Sequence, residues 1–428
     1  MLNVLIKRTA DLLKNHEKKI LLGLVLLTLI LRLGYVLIVY AQDGTSLWYD
    51  DWQYLHYGRQ IAAGNWNPTQ SLAKPFMQVG PGLPILIALS IVIFSDPVWP
   101  IILFNVVITS LIVWVLFYLG KLVFDRKVGW LLAAWGVCYD EFYHYNPHLL
   151  KEPINLLFFL LTVYLLLKSI KNNGQIRPLL LSALSFIWLI HADERYLVYA
   201  PVFVLAFALI RPFDLKTIVS RAALWGMITL ILMIPWTIHN FQIFDQLVLI
   251  SPRTTAFTAA LWGKNIQDMR FGEDASRLSK ENDYLKAVAD GKPYGLAPRR
   301  YGKYEKYARA FINFWQPAYF QPTFIRYGLR LEKWPLSHNL MGLVFYGIFL
   351  PFYIFGLFLL IKRKYLIGLF LAGIPILHSL LHMAMVWPLK RYRAPVVFCV
   401  VCVAIWVLME LAGRFSVKNA VRHAESSG

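Results

Sequence analysis

The chain has 428 residues, 58% of them hydrophobic and only 16% charged, with a mean hydropathy of +0.52. A soluble globular domain is about one quarter charged, so composition excludes an ordinary soluble enzyme and a disordered chain alike. The formal net charge is +19, but no zinc-ligand spacing, basic helix or RNA-binding signature accompanies it, so the charge does not call for nucleic acid and none is expected as a partner.

The first apolar run, 20–40, follows a basic segment and has no small-residue cleavage site, so it is expected to stay as an uncleaved anchor. About ten residues later comes WYDDWQY, 48–54, two adjacent aspartates among four aromatic residues. Further spans are predicted at 98–119, 128–143, 153–168, 178–192, 196–210, 222–238, 340–360, 365–384 and 394–411. A span needs about 20 residues, fewer where protein shields it. The total is ten, in an all-α polytopic membrane protein.

The proline-bounded run 82–94 would make eleven. At about 1.5 Å per residue it reaches roughly 20 Å, short of the roughly 30 Å hydrocarbon layer. Charge decides its reading. With 82–94 lying at the interface, one side collects Lys121, Arg126, Lys127, Lys168, Lys171, Arg177, Arg211, Lys216, Arg221, Lys362, Arg363 and Lys364. The N-terminal Lys7, Arg8, Lys14, Lys18 and Lys19 and the C-terminal Arg414, Lys418 and Arg422 join them. The positive-inside rule makes that side cytoplasmic.

The domain plan follows from this topology. Residues 1–238 form a membrane module with its first outer loop at 41–97; 239–339 form an outer loop or small cap; 340–411 form a second module, and 412–428 a cytoplasmic tail. Cys399 and Cys402 share a CxxC spacing but have apolar flanks and no nearby histidine, so they read as small core residues.

Four charged clusters converge on the outer side: Asp50 with Asp51; YDEFYHYNPHLLKEP, 139–153; HADER, 191–195; and LKRYR, 389–393. Glu152, beside Pro153, also suits the first turn of a helix. Adjacent carboxylates push one pKa upward, which favours Asp50 as a proton acceptor and Asp51 as the group that orients a partner. Arg195, Lys390, Arg391 and Arg393 stand on the side where cations are scarce. Phosphate binding is one reason for them; pairing with the aspartates, or lipid headgroups, is another.

These clusters resemble motifs of the polytopic glycosyltransferases of GT-C type that use polyprenyl-phosphate sugars, with the protein O-mannosyltransferases and the enzyme adding aminoarabinose to lipid A as the nearest branch. DDWQYLHYGRQIAAG, 50–64, is similar to the family's Asp-Glu element, with Asp51 for the Glu and Tyr54 and Gly64 matching. GPGLPILIALSIVIF has Leu83 where the family has Tyr, and Glu152 of LLKEPINLLFF answers to a second acidic residue. HADERYLVYAP departs from the usual R-P-E, while PWTIHN, 235–240, and RYRAP, 391–395, match.

The resemblance implies inverting transfer from a polyprenyl-phosphate sugar to a lipid, glycan or protein acceptor. Asp50 would be the base, with Asp51 and Glu152 as further catalytic residues. Arg195, Lys390, Arg391, Arg393, Tyr54 and His148 would bind substrate or phosphate. No cofactor is required by the pattern; Mg²⁺ or Mn²⁺ is left open, with Asp51 and Glu152 as candidate ligands. The expected location is a bacterial inner (plasma) membrane with the site facing outward and membrane lipid as a partner. The rival readings are a lipid-diphosphate glycan polymerase or ligase and a lipid or sugar transporter; the latter is disfavoured because the charges sit at one edge rather than at the bilayer midplane.

Overall fold

The computed structural model describes residues 16–43, 49–66, 79–244, 247–251, 308, 311–312, 314–317, 340–384 and 390–426, with backbone only at 43, 49–50, 244, 382, 384, 390–391 and 414–426. The expected cap at 239–339 lies mostly outside these residues, as do Lys7, Arg8 and Lys14.

The described chain is helical: α1 (Glu17–Asp43), α2 (Tyr49–Ala62), α3 (Gly82–Phe94), α4 (Trp99–Val123), α5 (Arg126–Cys138), α6 (Asp140–His144), α7 (Glu152–Lys171), α8 (Ile176–Ala192), α9 (Ala200–Ala206), α10 (Leu215–Phe244), α11 (Phe349–Lys362), α12 (Leu366–Ala384) and α13 (Val397–Ser426). Among the described residues six stretches are long and apolar enough to cross a bilayer: Glu17–Gln42, Trp99–Val123, Glu152–Lys171, Leu215–Ile243, Leu340–Lys362 and Tyr392–Gly413. Gly82–Phe94, Ile176–Ala192 and Leu366–Leu381 are shorter apolar helices. The molecule is a multi-pass membrane protein.

Local chemistry sets the helix starts. Asp96 Oδ1 accepts from the Val98 amide at 2.7 Å ahead of α4, and Asp125 accepts from the Val128 amide at 2.9 Å at the start of α5. Both satisfy amides that the first helical turn leaves without partners. Helices α4 and α5 then pack as a hairpin so tight that a Cβ on Gly120 would lie 2.8 Å from the Gly129 Cα. Helices α7 and α8 form a second hairpin beside it, and α10 packs on α8. Helix α7 is buried along most of its length.

The expected span 196–210 is not one regular helix. It is a 3₁₀ turn (Glu194–Tyr199), α9 and a second 3₁₀ turn (Phe207–Leu209). With 6, 7 and 3 residues in the three pieces, at about 2.0 Å per 3₁₀ residue and about 1.5 Å per α residue, the segment extends roughly 28 Å. The tighter winding stretches a short segment to nearly bilayer thickness.

Helix α3 has both flanks at one end of the bundle. Its Gly82 sits where a Cβ would lie 2.9 Å from the Ala192 amide nitrogen, and the turn after it leads to Trp99, whose ring meets Tyr40 at 4.8 Å. The opposite end gathers Glu17, Lys121 and Arg126, Lys171 bonded to the Leu122 carbonyl, and Arg363 paired with Glu410.

Candidate active site

The charged motifs meet at the end of the bundle that holds α2, α6 and the turns after α8 and before α13. The tightest cluster is centred on Asp193, a fully buried carboxylate. Helix α8 ends at Ala192, and Asp193 turns to extended backbone and caps the following 3₁₀ turn. Its Oδ1 accepts from Arg195 Nε at 2.7 Å, and its Oδ2 accepts from Arg195, from Lys151 Nζ at 3.1 Å and from Asn155 Nδ2 at 3.1 Å. Burial alone would raise the Asp193 pKa. The charges and hydrogen bonds of Arg195 and Lys151 outweigh it and hold the carboxylate well below its usual range. Burial would likewise lower the Arg195 pKa, but Asp193 lifts it well above the ordinary guanidinium value.

Asp193 takes the Nε side of the Arg195 fork and leaves the other edge of the guanidinium for a further acceptor. The face of the same group lies over the Tyr392 ring, 4.1 Å from its centroid. Beside it is a small, partly open cavity lined by Glu152, Asn155, Arg195, Tyr196, Tyr199 and Tyr392, with Val198, His378, Leu381 and Pro395 completing the wall. Glu152 is on the first turn of α7, and Asn155 follows it by three residues, so the two share a helix face. The Asn155 Oδ1 has no hydrogen-bond partner among the described residues.

A second buried pair lies on the neighbouring turn. His148 Nδ1 donates to Asp51 Oδ2 at 3.0 Å, with both side chains buried. The Asn-Pro-His turn that carries His148 is fixed from two spans. Asn105 Nδ2 donates to the His148 carbonyl at 2.8 Å, Thr109 Oγ1 bonds Asn146 at 3.0 Å, and the Tyr40 hydroxyl donates to the Pro147 carbonyl at 3.3 Å. Asp51 therefore meets a partner that the scaffold holds in place.

The predicted residues separate into groups. Glu152 and Arg195 line one cavity, and Asp51 with His148 forms the adjacent pair. Tyr54 packs in the apolar core. Arg393 is buried and turned to the scaffold: its NH1 donates to the carbonyls of Phe314 and Gln316 at 2.9 and 2.8 Å, and it lies 3.7 Å over the Tyr346 ring with Glu141 at 3.7 Å. Asp50 lies in the first turn of α2, and Lys390 and Arg391 lie in the 3₁₀ segment Lys390–Val396; their side chains are outside the described residues.

Sequence reasoning missed three contributors. Asp193 was hidden inside a motif read for its arginine. Asn155 could have been found from its three-residue spacing to Glu152. His378 is an ionisable group in an apolar span, which is itself a signal.

The profile of the dolichyl-phosphate-mannose-protein mannosyltransferase family matches residues 75–239. A comparison with curated protein sequences returns no match. Among solved structures, the oligosaccharyltransferase AglB of the archaeon Archaeoglobus fulgidus, in complex with an inhibitory peptide and a dolichol-phosphate, superposes with a TM-score of 0.56 at 13% identity over 96% of this chain. The Archaeoglobus fulgidus oligosaccharyltransferase tethered to an acceptor peptide gives a TM-score of 0.57 at 11% identity over 95%. This chain spans about half of each of those proteins, 52% and 51% of their lengths. Fold and site thus define an all-α polytopic membrane protein with a charged cavity at one end of its bundle. Residues 75–239 are thus similar to the dolichyl-phosphate-mannose-protein mannosyltransferase family, and the fold of the chain is similar to that of the oligosaccharyltransferase.

Proposed function

We propose that this chain moves a sugar from a polyprenyl-phosphate carrier to a lipid, glycan or protein acceptor, with inversion, on the extracytoplasmic side of a bacterial inner membrane. The observation that carries the reading is the cavity beside Asp193, where Arg195 keeps one guanidinium edge for an anion while Glu152 and Asn155 stand on the same wall. The family match and the dolichol-phosphate held by the AglB structure support a lipid-phosphate carrier.

In the proposed step the acceptor oxygen or nitrogen attacks the anomeric carbon from the face opposite the phosphate. The bond from that carbon to the phosphate oxygen breaks, and the acceptor proton passes to the Asp50 carboxylate. Arg195, joined by Arg391, offsets the charge left on the polyprenyl phosphate. Glu152 orients the acceptor, and Asp51, held by His148, orients the region around Asp50. If Mg²⁺ or Mn²⁺ serves the reaction, Asp51 and Glu152 are the carboxylates proposed to meet it; EDTA then stops transfer and added metal restores it.

The proposed topology has ten spans with the basic end cytoplasmic, the membrane modules at 1–238 and 340–411, and a cap at 239–339. Cysteines replacing Lys127, Asn172 and Lys216 are expected to be shielded from an impermeant reagent applied outside, and one replacing Lys280 to label. Outside labelling at 127 overturns the arrangement.

The function is tested with purified protein in liposomes and a panel of polyprenyl-phosphate sugars. Transfer with inverted anomeric configuration, read by NMR of the product, is the expected result. Turnover only with lipid-diphosphate glycans would replace this reading with that of a polymerase or ligase.

A further inference from the structure

The apolar run LAGIPILHSLLHMA of α12 contains His378, which is buried and lies on the cavity wall. Both of its ring nitrogens are engaged. Nε2 is 2.7 Å from the Tyr392 carbonyl oxygen, which can only accept, so Nε2 carries the hydrogen. In the neutral ring Nδ1 is then the acceptor, and the Tyr199 hydroxyl donates to it at 2.6 Å.

The bond to Tyr392 has a backbone cause. Residues Lys390–Val396 form a 3₁₀ turn, where a carbonyl is met by the amide three residues on. For Tyr392 that residue is Pro395, which has no amide hydrogen. The turn therefore leaves this carbonyl to be satisfied from elsewhere, and α12 supplies the donor.

The same two segments hold the Arg195 guanidinium. Tyr199 follows Arg195 by four residues in the turn after α8, and the Tyr392 ring backs the guanidinium face at 4.1 Å. The contacts close a ring: Arg195 on Tyr392, Tyr392 on His378, His378 on Tyr199, and Tyr199 back along the chain to Arg195. Asp193 fixes one edge of the fork, so the tilt of its plane is set by the ring behind it. A guanidinium recognises an anion through coplanar N–H groups, and a tilt misdirects them.

We propose that His378 is a positioning residue for the anion subsite: by holding the Tyr392 carbonyl it keeps the aromatic backing under Arg195, so that the open guanidinium edge faces a lipid-linked phosphate. This rests on the reading of Arg195 as the cation that meets that phosphate.

The test separates the two halves of the imidazole. His378→Asn places a polar group near the Nδ1 position and loses the donor to Tyr392; His378→Gln carries an N–H to about the Nε2 position and keeps it. The affinity of the full-length protein for undecaprenyl phosphate in detergent, and the KM for its sugar ester, are measured for each. His378→Asn is expected to weaken both about fivefold to tenfold, the value of one buried hydrogen bond, with His378→Gln recovering most of the loss. Tyr392→Leu keeps the carbonyl but removes the ring, so it should imitate His378→Asn, and the double variant should lose no more than either alone. Equal losses in the Asn and Gln variants, or additive losses in the double variant, overturn the role while leaving the transfer reading standing. A wild-type protein that binds no undecaprenyl phosphate and turns over none of its sugar esters overturns both.

Discussion

The two ends of the bundle use charge in opposite ways. At the basic end, Arg363 meets Glu410 with 39% and 32% of their side chains exposed, and Lys121 and Arg126 share Glu17. At the site end, Asp193 gathers Lys151 and Arg195 with no exposure of its own, and Asp51 meets His148 in equal seclusion. Exposed pairs are worth little and salt screens them. Buried clusters cost several kcal/mol per ion in desolvation, and an apolar replacement is often as stable. A fold needing only stability has no use for the second arrangement. The site end keeps the carboxylates of its pairs out of water and leaves Arg195 at the edge of a partly open cavity, where an anion would be less screened than at the surface.

The sharpest way to break this contrast is at WYDDWQY. Asp50→Asn keeps size and shape but removes the proposed proton acceptor. Single-turnover transfer, normalised to folded protein, should fall about 10²–10⁴-fold, while binding of the sugar carrier persists. A rate within a few-fold of wild type would move the base to Glu152, which already lines the cavity.

Next in size is the cluster that holds Arg195. Asp193→Ala leaves Lys151 and Arg195 without their shared carboxylate. Breaking such a buried cluster costs about 3–5 kcal/mol, and the thermal unfolding midpoint in detergent should fall accordingly. Retained stability would mean that water reaches both cations, and the site end would then resemble the basic end.

The Asp51–His148 pair should come third. His148→Leu removes the donor to a buried carboxylate at a cost of about 1–3 kcal/mol. His148→Asn retains an N–H near the Nδ1 position and should cost less. Equal destabilisation by Leu and Asn, read from the same melts, would show that ring packing rather than the hydrogen bond holds this turn.

Continuous apolar runs made most of the helices legible, because a bilayer-crossing helix must be apolar along its whole length. The span expected at 196–210 is broken into 3₁₀ and α pieces for a local reason: its start is governed by Asp193 and Pro201, and the chain follows 3₁₀ geometry there. The site was legible as residue types on one side and illegible as pairs. HADER announced Arg195, but the fact that Lys151 and Asn155 also converge on Asp193 joins segments about forty residues apart, which no spacing rule connects. Arg393 shows the same limit. Its motif suggested phosphate, and no spacing rule foretold that it would also donate to the Phe314 and Gln316 carbonyls, some eighty residues away in the chain.

The smallest expected effect belongs to the basic end, and its smallness is the point. Arg363 donates to Glu410 at 2.6 Å and lies 5.3 Å from the Trp406 ring centroid, a geometry that looks as good as any at the site. Both partners are more than or about one third exposed, so water already solvates them well. Arg363→Ala should therefore shift stability by no more than about 1 kcal/mol, and raising the salt concentration should shrink even that. Charge on this end would then matter for which side of the membrane it occupies, not for how firmly the bundle holds. A loss comparable to that of Asp193→Ala, unchanged by salt, would show that the Arg363–Trp406 contact is itself desolvated, and the difference between the ends would no longer rest on exposure.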